Sequence, residues 1–173
     1  MPADKHQVLS TILDDAYTTF RDTPPSLILL TTTSPTSYAD ITFDSYTRVP
    51  VPSFTSPFLS LPILALATHL YEKARNTKVS ASHFLVADEQ TSNDRSMLFV
   101  QCHDAEKREL ESVRVDARFL NSASMAVSVG ASGIEELVAL ADADGVYRGG
   151  EGRERAAPRK GGEAPRKTLQ SKS

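Results

Sequence analysis

The stretch Ser60–Arg75, SLPILALATHLYEKAR, limits the fold of this chain more than any other segment. Ile63, Leu66, Ala67, Leu70 and Ala74 recur at helical spacing and define one buried face. Leu61, Leu64 and Ala65 add apolar side chains on the opposite side, so the first two turns are greasy nearly all round. Such a helix needs a second cover besides the sheet it lies on. Thr68, His69, Glu72, Lys73 and Arg75 make its later turns amphipathic, Ser60 suits an N-cap, and Pro62 is harmless in a first turn. The residues expected to meet another polypeptide are therefore Leu61, Leu64, Ala65, Thr68, His69 and Glu72.

Around this helix the chain alternates helical and strand-like patterns. Asp4–Arg21 reads as a first helix, with Val8, Ile12, Leu13, Ala16, Tyr17 and Phe20 in register, ended by Pro24-Pro25. Ser26–Thr33 is a short apolar and β-branched run and predicts a buried strand. Ser34–Ser37 reads as a turn, and Ala39–Tyr46 alternates as a returning strand with Ile41 and Phe43 on one side. Three prolines make Val49–Pro57 an extended connector. Beyond the helix, strands are expected at Ser82–Ala87, Ser96–His103, Leu110–Phe119 and Met125–Val129, with polar loops at Asp88–Arg95 and Asp104–Glu109. Ser132-Gly133-Ile134-Glu135 fits a capping box opening a last helix, Gly133–Ala143, closed by Gly145.

Charge divides the chain. Residues 1–147 carry 11 Lys/Arg against 19 Asp/Glu, a net of −8, and residues 148–173 carry 8 against 3, a net of +5. One domain over 1–147 with a disordered basic tail over 148–173 is expected, since the tail has almost nothing apolar to offset its ordering entropy. An acidic body argues against a specific nucleic-acid surface, and the tail's charges are dispersed without aromatics. MPADKHQ lacks the features of a secretion signal, and Leu59–Leu70 is too short to span a bilayer. A cytoplasmic protein is the expectation.

No motif in the sequence establishes a chemistry. Ser132 fails the nucleophile-elbow pattern because its second glycine falls one place early. Cys102 and His103, adjacent on a strand, point to opposite faces and cannot converge with His83 on a metal. Asp14-Asp15, Asp88-Glu89 and Glu135-Glu136 are adjacent pairs that diverge, and no phosphate-cradling glycine motif occurs. Catalytic, cofactor and metal residues are accordingly expected to be none.

The order helix, strand, strand, long apolar helix, strands, helix resembles the Roadblock family and its Ragulator/EGO-type scaffold subunits. The likeness is carried by Val8–Phe20, Leu27–Phe43, Ile63–Arg75, Met97–Gln101, Val113–Phe119, Met125–Val129 and Gly133–Ala143. It implies an α/β (α+β) profilin-like sandwich: a five- to six-stranded, mostly antiparallel sheet, the central helix on one face and the terminal helices on the other. It further implies pairing with a homologous subunit as a homo- or heterodimer, contact with small GTPases in TOR signalling, and indirect attachment to the lysosomal or vacuolar membrane. Two alternatives stand beside it: a longin-type trafficking subunit, and a small-ligand-binding or catalytic α/β sandwich.

Overall fold

The computed structural model describes residues 5–42, 44–104 and 109–150. The chain runs α1 (Lys5–Thr18), α2 (Pro35–Ala39), α3 (Ile63–Ala74), β1 (His83–Val86), α4 (Thr91–Asp94), β2 (Ser96–Asp104) and β3 (Glu109–Asp116). A 3-10 turn (Ala117–Phe119) then leads into α5 (Leu120–Ser128), α6 (Ile134–Leu140) and β4 (Val146–Tyr147). The class is mixed α+β. The four strands form one sheet in the order β1-β2-β3-β4, antiparallel except for the β3–β4 pair.

The pleat separates two cores. Leu85 faces Phe99 and Phe99 faces Val113, so these share one face of the sheet. They pack with Ile12, Leu13 and Ala16 of α1, Leu27, Val51, and Leu120, Ala123, Ile134 and Leu137 of α5 and α6. Phe84, one residue out of phase, joins a smaller cluster built on Tyr38 of α2 and Leu70 and Ala74 of α3, with Leu30, Ile41 and Val79 beside it.

The expected five- to six-stranded sheet is not what forms among the described residues. Ser26–Thr33 joins no ladder: Leu27 goes to the main core, Leu30 to the smaller one. Its backbone is satisfied piecemeal, the Thr47 N–H donating to the Leu27 carbonyl at 2.8 Å and the Leu29 N–H to the Thr47 hydroxyl at 2.6 Å. No hairpin follows, because Ser34-Pro35 opens the short helix α2 in place of a turn. Phe43 lies outside the described residues.

Met125–Val129 is the second correction. Met125–Ser128 belongs to α5 and Val129 is its C-cap, while Leu120, Ala123 and Val127 keep helical spacing into the core. Asn121, expected in a turn, is fully buried. Its amide oxygen accepts from the Ser26 N–H at 3.0 Å and the Ser26 hydroxyl at 2.9 Å, and its NH2 donates to the Pro24 carbonyl at 3.0 Å. Within Asp88–Arg95 the loop closes a single turn, α4, over the Asp88 carboxylate, which accepts from the Thr91 N–H at 3.1 Å.

The last helix ends at Leu140, earlier than expected. Gly145, at φ +80°, serves the turn that follows, where its N–H donates to the Asp142 carbonyl and the Asp142 N–H to the Val146 carbonyl. Ser132 makes no capping box: Gly133 is the cap residue, and the Ser132 hydroxyl donates to Glu136 at 2.9 Å. Arg148, expected to begin the tail, is held by Asp142 at 2.9 Å and Asp144 at 2.8 Å. Residues 151–173 lie outside the described residues.

Candidate functional site

α3 begins after a tight turn, in which the Leu61 N–H donates to the Phe58 carbonyl at 3.2 Å. Ser60 takes a left-handed conformation (φ +63°), so it is not the N-cap; Pro62 occupies that place and offers no side-chain acceptor. Proline's fixed φ suits the entry into a helix, and its carbonyl receives the first helical bond, from the Leu66 N–H at 3.1 Å. From there Ala67, Leu70 and Ala74 turn inward, Leu70 and Ala74 packing with Tyr38 and Phe84.

The opposite stripe faces outward. Pro62, Leu64, Ala65, Thr68, His69 and Glu72 line a shallow groove of about 470 Å³ along the helix. Leu61 stands 44 % exposed just before it, and Leu59 is 60 % exposed on the same approach. Ala65, Thr68 and Glu72 are exposed, while Leu64 and His69 are half-buried.

Two features make this surface rigid. The Thr68 hydroxyl donates to the Leu64 carbonyl at 2.9 Å, one turn back on its own helix. His69 is pinned between two aromatic rings, edge-on to Tyr38 and to Phe58 at centroid distances of 6.0 and 5.6 Å. The Tyr38 hydroxyl donates to the Thr32 carbonyl at 2.8 Å, so its oxygen accepts a hydrogen bond from the His69 Nε2–H, 3.0 Å away. This fixes the tautomer: Nε2 carries the proton. Burial pushes the Tyr38 phenol above its ordinary pKa, so that donor stays protonated near neutrality.

The other positions do not assemble into a reaction centre. Cys102 is buried and His103 is exposed, lying 3.3 Å from Glu111. His83 Nε2 meets the Ser128 hydroxyl at 2.9 Å, a pair that no local pattern announces across 45 residues. Its Nδ1 faces the Ser80 and Ser82 hydroxyls at 3.0 and 3.3 Å, neutral groups where a catalytic base would have a carboxylate to orient its ring. Ser128 in turn donates to the Ser124 carbonyl at 2.7 Å, which makes the pair a tie between β1 and α5.

The adjacent acids diverge. Asp15 pairs with Arg95, Asp88 with Arg114, and Glu136 accepts from Ser132. No cluster of three or more metal-binding side chains occurs among the described residues, nor any helix long and apolar enough to cross a membrane. A second groove of about 420 Å³ is lined by Tyr17, Pro25, Tyr46, Arg48 and Val49. Its Tyr17 donates to the Leu27 carbonyl at 3.1 Å, and burial followed by the nearby Tyr46 pushes its pKa up to about 12. That phenol is no acid or base near neutrality.

The walls that sequence reasoning missed are Tyr38 and Phe58. Phe58 sits in a connector with no periodicity to read. Tyr38 was legible in part, since Ser34-Pro35 is a helix-start signal that would have placed it on a short helix.

A family model, Domain of unknown function (DUF6924), matches residues 61–150. No curated protein and no solved structure matches the chain. The likeness to the Roadblock family is thereby overturned: the matching family is a different one, and no hairpin over Leu27–Phe43 forms among the described residues. The GTPase, TOR and vacuolar expectations lose the resemblance that carried them. With more than half of its length matched, from the approach to α3 through Gly150, the chain belongs to the DUF6924 family.

Proposed function

We propose that this chain is a non-enzymatic interaction subunit that seats a helix of another polypeptide along the outward stripe of α3. The observation that carries this reading is the run of apolar surface left in water there: Leu59 and Leu61 exposed, leading into a groove walled by Pro62, Leu64 and Ala65. Contiguous apolar surface on a folded protein is costly to leave wet, and fully burying one leucine contributes about 1.5–3 kcal/mol. A groove that follows a helix axis suits a second helix, whose side-chain ridge would lie between Leu64 and Thr68. The fitting ridge is small and apolar where it crosses Ala65 and polar or basic where it reaches Glu72.

The test compares tagged wild-type and Leu64→Glu chains purified from the native cell, with quantitative mass spectrometry of what accompanies them. The reading expects a stoichiometric partner that is lost with Leu64→Glu and kept with a substitution on the Tyr17 groove, Arg48→Ala. An identical set of companions in all three preparations would sink it.

A further inference from the structure

We propose that residues 153–160 of this chain lie back along the outward face of α6, a displaceable cover held by charge. α3 plays no part in this contact. Ile134 and Leu137 of α6 are buried in the main core, while Glu135, Glu136, Val138 and Ala139 face water, Val138 at 50 % exposure. Asp142 and Asp144 stand exposed just beyond the helix end. The face is therefore a small apolar spot with a pair of carboxylates at each end.

The local charge is only partly answered. Arg148 lies 2.9 Å from Asp142, 2.8 Å from Asp144 and 3.8 Å from Asp116, which Arg118 also holds at 2.9 Å. At the other end Glu136 accepts from the Ser132 hydroxyl, and neither it nor Glu135 has a cationic partner among the described residues. Glu136 belongs to the same patch: burial first, and its charge second, push up the pKa of Tyr147, the neighbour of Arg148. The chain leaves the described body beside this negative surface, for Gly150 lies where a Cβ would come within 3.7 Å of the Leu140 side chain.

The sequence that follows is the counterpart of that face. Outward from Gly150 come Arg153 and Arg155, then Ala156-Ala157-Pro158, then Arg159-Lys160. Laid back along α6, this order sets Arg153 and Arg155 beside Asp142 and Asp144. It sets the three small apolar residues on Val138 and Ala139, and Arg159 and Lys160 beside Glu135 and Glu136. Residues 151–160 can extend over about 33 Å, whereas α6 is about 10 Å long, so reach is ample. The second Ala-Pro-Arg-Lys, Ala164–Lys167, follows Glu163 and lacks the first pair of cations, which makes it the poorer fit. Exposed ion pairs are individually weak and screened by salt, but a tethered segment acts at high effective concentration. The cover is thus closed at low salt and lifts as salt rises.

A photo-crosslinker placed at Val138 of the full chain reads the contact, because an exposed position accepts the probe without opening the core. The expected product is intrachain and maps to residues 153–160. Its yield should fall several-fold with Arg159→Glu plus Lys160→Glu, and between about 50 and 500 mM salt. Adding Glu135→Lys plus Glu136→Lys to the reversed tail should restore it, while Arg166→Glu plus Lys167→Glu should leave it unchanged. Unchanged melting temperatures in these variants would separate lost docking from lost folding. Products that map to another chain or to residues 161–173, the absence of any product, or a yield indifferent to both salt and charge reversal would each overturn the proposal.

Discussion

His83 shows how a single residue can give this protein a pH dependence. It is held in the β1–α5 seam by Ser80, Ser82 and Ser128, edge-on to Phe99, and burial lowers its pKa below the ordinary 6.5. The unfolded chain therefore takes up a proton before the folded one does. This contribution to stability is whole above 6.5 and is lost as the pH falls through the folded value. Melting temperatures measured between about pH 7.5 and 5 should decline, and His83→Gln should flatten that decline while lowering the plateau slightly. A decline of the same slope in His83→Gln would assign the effect elsewhere. Asp94 does not share the window: burial raises it, but the Ser96 hydroxyl and N–H, Gln90 and Arg114 together hold it below 3.8. Asn121 is the other residue with a large stake. Asn121→Leu would strand the Ser26 N–H and the Pro24 carbonyl against a buried apolar side chain, at a cost of about 2–4 kcal/mol. Urea unfolding with an unchanged slope and a lower midpoint would register it.

At the scale of elements, α3 makes a sharp distinction between two leucines six residues apart. Leu70→Ala opens the small cluster under Tyr38 and should cost about 2–5 kcal/mol. Leu64→Glu, on the half-exposed stripe, should leave the melting temperature within a few degrees, which circular dichroism can check. Similar losses for both would mean that the stripe is core. The outward face of α3 was legible in the sequence because helical periodicity is a local signal, and Leu64, Ala65, Thr68, His69 and Glu72 fall on it; Leu61 precedes the helix, which begins only at Ile63. β1, β2 and β3 were legible as strands, β3 through alternation that survives in Val113 and Val115; the same pattern runs on through Ala117 and Phe119, where the chain has already left the strand for a 3-10 turn. Where the reading failed, a local pattern had two solutions. Met125–Val129 alternates over five residues, yet from Leu120 on it is equally a helix, and only the burial of Asn121 decides. Ser26–Thr33 has the composition of a strand, but its neighbour in space is Thr47, just before the proline-rich connector, and the two meet at isolated points rather than along a ladder. β4, two residues long, carries too little pattern to announce itself.

The family match and the folded body do not have the same edges, and the difference predicts how the molecule behaves when divided. The match begins at Leu61. The main core does not: Ile12, Leu13, Ala16, Leu27 and Val51, all outside the match, pack on Phe99, Val113 and Val115 inside it. The smaller core likewise takes Tyr38, Leu30 and Ile41 from outside to cover Leu70 and Ala74. A fragment of residues 61–150 would thus keep its sheet while exposing apolar surface on both faces, with Asn121 stripped of Ser26 and Pro24. Removing five buried apolar side chains from one core, at about 1.5–3 kcal/mol for each of the larger ones, exceeds much of the 5–15 kcal/mol that a whole domain commands. The fragment should show secondary structure by circular dichroism, bind a hydrophobic dye, and lack a cooperative thermal transition. Adding a peptide of residues 5–58 should restore that transition, because the missing cover is a continuous stretch. A fragment that melts cooperatively by itself would mean that α1 and the extended run behind it are an accessory laid over a core already closed.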